Sequence, residues 1–157
     1  PTAFVGIKWH LPRVPQRIWE EVFAHAKSNN SNRAFKEELY LVFWDKTHSV
    51  WRWCTPRKDR SYASTIADDS RHAYSEACIE VHTHPPGAYQ FSGADDADES
   101  GKFRIFGIIA DVQDEPKIRF RCGIYDHLVP IPFSWVGRLP QGVVDLNEIE
   151  ALLQMML

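Results

Sequence analysis

Apolar positions change their period along the first third of the chain. Val14, Ile18, Val22 and Ala26, with Trp19 and Phe23 beside them, recur at three- and four-residue intervals, the stripe of an amphipathic helix. Pro15 suits the first turn of that helix, and Lys27 followed by Asn29-Asn30 suits its end. Residues 39–44, LYLVFW, are six consecutive apolar residues closed by a polar turn at 45–49. Such a run reads as a strand buried on both faces, with residues 50–54 as its hairpin partner, ended by Pro56. Further strands are expected at 3–9, 77–82, 103–110, 117–125 and 128–135. Residues 95–102 open a helix that Ser92 or Asp95 can cap, its first turn acidic as the helix dipole prefers. Leu146, Ile149, Leu152, Leu153 and Met156 outline an amphipathic helix at the end. Residues 57–75 are polar, without periodicity, and long for a plain connection. Helices interspersed among strands predict an α/β (α+β) arrangement around a mixed sheet.

Composition narrows the classes. At 157 residues the chain is expected to form one domain with a full core, and 44% apolar residues with six Trp, nine Phe and five Tyr describe a packed protein. A formal charge of −3 offers no general attraction to nucleic acid. No stretch approaches 18 consecutive apolar residues, so no membrane span is expected. The start, PTAFVGIKWHLPR, lacks a charged-then-apolar signal pattern. Cys54, Cys78 and Cys122 are scattered and outside any CxxC spacing, as reduced core residues of a cytoplasmic protein would be.

The chemistry concentrates in VHTHPPGAYQFSGADD. His82 and His84 stand at i and i+2 of an extended segment and therefore point to the same side. Asp95, eleven positions after His84, returns to that side if the intervening residues form a loop. Two imidazole nitrogens and one carboxylate oxygen make a three-ligand set for zinc with a fourth tetrahedral position open, the catalytic pattern rather than the structural one. Alone, an HxH pair recurs by chance and an acidic turn is ordinarily a solvated loop. His10, His25, His48, His72 and His127 share no spacing and are read as surface or core residues. Trp51 and Trp53 alternate as one face of a packed hairpin. Tyr89 and Phe91, in the loop between ligands, either contact substrate or plug the loop onto the core.

HxH, seven residues, Ser92, two residues and Asp95 together resemble the JAMM (JAB, MPN+) metallopeptidase family without a gap. The resemblance implies an MPN-type mixed β-sheet flanked by helices over residues 3–135, and one catalytic Zn2+ held by His82, His84 and Asp95. It implies that Ser92 helps to stabilise the oxyanion and that an upstream glutamate is the general base. Glu37, 45 positions before His82 and eight before Asp45, has the spacing of compact prokaryotic members. Glu38 is the alternative, and a shift of one residue would turn it to the opposite face. Two prolines after His84, where the family has one, imply a stiffer loop.

The family cleaves peptide or isopeptide bonds at the C-terminus of ubiquitin or ubiquitin-like proteins. The segment from Phe91 to Val112 also looks like a bacterial subgroup encoded beside ubiquitin-like proteins and their E1- or E2-like enzymes, some in antiphage defence operons. The implied partner is thus a ubiquitin-like protein or its conjugate, with tag processing or release favoured over linkage-selective deubiquitinase action. Two other classes remain open: a JAB-like role in DNA repair, which the missing basic stripe disfavours, and a non-catalytic MPN scaffold, whose members ordinarily lose metal ligands. Deaminase chemistry would require a PCxxC that is absent.

Overall fold

The computed structural model describes residues 9–30, 35–56 and 77–157. The strand expected at 3–9 lies almost wholly outside them, as do His72 and the polar stretch 57–75. Helix α1 (Gln16–Asn29) is followed by strands β1 (Leu39–Asp45), β2 (Val50–Cys54) and β3 (Ala77–Thr83), then by helix α2 (Gly93–Glu99). Strands β4 (Lys102–Ala110), β5 (Lys117–Tyr125) and β6 (His127–Ile131), a 3-10 turn at Phe133–Trp135, strand β7 (Val144–Asp145) and helix α3 (Leu146–Met155) complete the order. The expected mixed sheet with flanking helices is present.

The strand order is β2-β1-β3-β4-β5-β6, with β7 pairing β5. Among the described strands, β3–β4 and β5–β7 are the parallel pairs. A parallel neighbour requires a crossover, and between β3 and β4 that crossover is the loop after His84 together with α2. The chain therefore leaves the end of β3, crosses one face of the sheet as α2, and re-enters beside β3.

The two faces differ in chemistry. On one, Tyr40, Val42, Ile79, Val81, Ile109, Ile118 and Phe120 are fully or almost fully buried with Ile18, Trp19 and Val22 of α1. Trp19, Phe120 and Phe133 meet edge-on at centroid distances of 4.9–5.8 Å, the arrangement aromatic quadrupoles prefer. Gly107 admits that cluster, since a Cβ there would meet the Phe120 ring at 2.6 Å. The opposite face carries Glu80, His82, Arg104, Arg119 and Arg121 at alternate positions of β3, β4 and β5. Arg119 and Arg121 are buried there by what packs over them.

Several boundaries depart from the sequence expectation. Pro15 is the residue preceding α1, extended at ψ 152°, instead of lying in its first turn. Helix α2 begins at Gly93 and ends at Glu99, so Lys102 belongs to β4; Ser92 is the cap, and Asp95 lies inside the first turn. The strand expected at 128–135 stops at Ile131, because Pro132 cannot donate to a ladder and the chain turns at Phe133–Trp135. Helix α3 forms, but none of its residues is buried. Trp51 and Trp53 share a packed hairpin face as expected, Trp51 stacking on Trp9 and Trp53 meeting His25 and Tyr40. No helix among the described residues is long and apolar enough to cross a membrane.

Candidate metal centre

Strand β3 delivers both histidines at its C-terminal end. His82 pairs with Leu39 of β1 and Ile108 of β4, and His84 continues the strand by donating its N–H to the Ile109 carbonyl at 2.8 Å. Their rings lie 4.7 Å apart, with Nε2 atoms separated by 2.8 Å. Asp95 reaches them from α2, Oδ1 at 3.1 Å from His82 Nε2 and Oδ2 at 3.3 Å from His84 Nε2. Tetrahedral zinc with ligands at 2.0–2.1 Å sets ligand atoms about 3.3 Å apart; the two histidine–carboxylate distances are near that value and the Nε2 pair is closer, so the three side chains approach the spacing a first-row metal ion needs.

The protonation states fit as well. His84 Nδ1 lies 3.1 Å from the Ala88 carbonyl. A carbonyl only accepts, so Nδ1 carries the hydrogen and Nε2 offers its lone pair to the cluster. Burial pushes the His82 imidazolium pKa down, against the pull of Asp95, and favours the neutral ring. Burial pushes the Asp95 carboxyl up, but hydrogen bonds from Ser92 hold it below its ordinary value, and either histidine adds to that pull when protonated. A neutral His82 ring and an ionised Asp95 carboxylate are forms a metal ion requires. His82, His84 and Asp95 are the one His/Cys/Asp/Glu group with metal-ligand spacing among the described residues.

Ser92 and Asp95 form a capping box. Ser92 Oγ accepts from the Asp95 N–H at 3.1 Å, and the Ser92 N–H donates to Asp95 Oδ2 at 2.6 Å. The reciprocal bonds satisfy two donors that a helix start leaves open, and they also fix the Asp95 carboxylate. Ser92 remains exposed beside the cluster.

Glu37 and Glu38 separate by register. Leu39 opposes His82 across β1–β3, so Glu37, two residues earlier, shares the His82 side. It lines, with Glu80, His82, Asp95, Glu99 and Lys102, a cleft of about 350 Å³. Glu38 exchanges bonds with Thr83, its N–H donating to Oγ1 at 2.9 Å and its carbonyl accepting from the Thr83 N–H at 3.0 Å; its carboxylate faces Asn29. Among the cleft's acids, Glu80 pairs with Lys102 and Arg104 at 3.6 and 3.3 Å, and Glu99 pairs with Arg121. Glu37 makes no ion pair or hydrogen bond among the described residues.

Several residues the sequence reading passed over hold this site. Asp111, in the left-handed region at φ 55°, accepts from the Gly87 N–H at 2.9 Å and from the Tyr89 hydroxyl. Lys117 Nζ meets the same carboxylate at 3.0 Å. That anchor secures the Pro85–Tyr89 turn whose Ala88 carbonyl orients His84, and Gly87 at φ 79° supplies its bend. Arg119 Nε donates to the Tyr89 carbonyl at 2.7 Å and ties the loop to Glu150 of α3. Tyr89 and Phe91 both pack the loop down, Phe91 beneath the Arg121 guanidinium. The available signal was the alternation of KIRFRCGIY, which places two arginines on one side of a central strand. The remaining described histidines are elsewhere: His25 contacts Tyr40, His48 meets Asp45, and His10 and His127 are exposed. None of the three cysteines is in a disulfide.

The family model for prokaryotic homologs of the JAB domain matches residues 15–123. No curated protein matches the chain. The match spans α1, the ligand strand and loop, α2 and most of β5.

Proposed function

This chain belongs to the prokaryotic JAB-domain homologs. From that membership and the three-ligand cluster we propose a zinc-dependent peptidase or isopeptidase acting at the C-terminal tail of a ubiquitin-like protein. The observation that carries the proposal is the convergence of His82, His84 and Asp95 beside a cleft that Glu37 lines. A bound zinc ion would activate water at neutral pH and polarise the scissile carbonyl. Glu37 takes a proton from the attacking water on its carboxylate and returns it to the leaving amine. The Ser92 hydroxyl, whose oxygen accepts from the Asp95 N–H, retains its hydrogen for the developing oxyanion. His84 keeps its proton on Nδ1, held by the Ala88 carbonyl.

A three-ligand set with the Glu37 carboxylate in the adjoining cleft favours catalysis over a purely structural role. An extended tail is most readily held by strand addition, in which main-chain hydrogen bonds supply the affinity. A preference for small residues such as Gly next to the scissile bond is part of the same proposal. The partner is a ubiquitin-like protein or its conjugate; an operon with E1- or E2-like enzymes and a defence role is a further part of the same proposal. Cleavage of ubiquitin-like fusions with shortened, bulky or native-length tails tests it. Chelator-sensitive cleavage that requires several tail residues before the bond is expected; equal rates on all tails would refute strand-type recognition.

A further inference from the structure

Helix α2 supplies the third ligand, yet little of the usual kind holds it in place. It has seven residues, GADDADE, far below the length at which an isolated helix persists in water. Its only buried residue is an acid, Glu99. With no apolar stripe it gains nothing from the hydrophobic docking that fixes α1. Something else must hold Asp95 within ångströms of two histidines on β3.

A single guanidinium answers that need. Arg121, on β5 and buried, donates from Nε to Glu99 Oε2 at 2.7 Å, and its guanidinium forms ion pairs with the same oxygen, 2.6 Å from Nη2, and with Asp96 Oδ1, 2.8 Å from Nη1. Its Cζ lies 3.6 Å from the centroid of the Phe91 ring. Relative to Asp95, these partners stand at −4, +1 and +4, bracketing both the ligand and its capping serine. Planar forked donors and a stackable face are properties lysine lacks. We infer that Arg121 is the positioning residue of the metal centre: it fastens the Phe91–Glu99 segment to the sheet and so sets the place of Asp95. This rests on the metal reading of the site and deepens it.

Cobalt titration of chelator-stripped protein tests the inference, because visible Co2+ bands report both affinity and four-coordinate geometry. Wild type and His82→Ala come first. If they bind alike, the metal reading itself fails. If wild type alone binds, Arg121→Lys should weaken binding, with diminished bands. Loss of Arg121 alone strands the buried Glu99 charge and endangers folding, whereas replacing both members of a buried pair by apolar groups is tolerated. Arg121→Met/Glu99→Met should therefore keep a cooperative unfolding transition while losing metal affinity by about 10–100-fold, the range for lost outer-shell support. Should both variants bind Co2+ with wild-type affinity and spectrum, the inference is overturned. The same holds if the double variant is folded and the loss appears only in Arg121→Lys.

Discussion

Replacing Ser92 by glycine and by alanine separates two jobs of one hydroxyl. As N-cap of α2, Ser92 Oγ accepts from the Asp95 N–H at 3.1 Å; as an oxyanion donor it would act through its hydrogen. Alanine at an N-cap costs about 1 kcal/mol, whereas glycine costs only a few tenths. For a chain of this length 1 kcal/mol lowers Tm by about 2–4 °C. Loss of an oxyanion donor raises the barrier by about 2.7–4 kcal/mol, roughly 10²–10³ in kcat. Ser92→Gly should therefore keep Tm nearly at the wild-type value yet lose two to three decades of kcat. Ser92→Ala should lose both, and Ser92→Thr should retain much of each. The assay pairs thermal unfolding with kcat on a ubiquitin-like fusion, after elemental analysis shows equal zinc in all variants. Wild-type kcat in Ser92→Gly would refute the oxyanion role and leave the hydroxyl as a helix cap alone.

Two further outcomes follow from the same cleft. Glu37→Gln should keep metal and fold while losing about 10² or more in kcat, and Glu38→Gln should stay active; the reverse result would place the base on the other side of β1. Burial pushes the Glu99 carboxyl up to about 7, despite hydrogen bonding from Arg121. Between its ordinary 4.5 and 7 the folded chain holds a proton that the unfolded chain has released. This contribution to stability is fully present below 4.5 and is lost as pH rises through 7. Urea unfolding of metal-free Glu99→Gln should accordingly show a flatter pH dependence over that window than wild type; parallel curves would contradict it.

Local patterns made most of the strands legible. LYLVFW, VWRWC and KIRFRCGIY are uninterrupted or alternating apolar runs, and they lie in β1, β2 and β5. The histidine pair was legible because i and i+2 on a strand must share a side. Helix α2 starts two residues before the expected 95, because its acids suggested a first turn at Asp95, while the capping box places that turn after Ser92. The supports of the site were not legible, since they join distant segments. Arg121 meets Glu99 across 22 positions and Asp111 meets Gly87 across 24. The apolar positions of α3 were visible in the sequence, but Ile149, Leu152 and Leu153 remain about half exposed, because neighbouring residues Asn147 and Glu150 dock the helix through polar bonds to β5.

The central claim is that His82, His84 and Asp95 hold a catalytic zinc, and metal stoichiometry on purified protein tests it most directly. Elemental analysis should find about one zinc per chain in wild type and in Glu37→Gln, as a three-ligand site with a separate base requires. His82→Ala and Asp95→Ala should lose that zinc and, with it, hydrolysis. Equal zinc in all four proteins, or none in wild type supplied with the metal, would contradict the account.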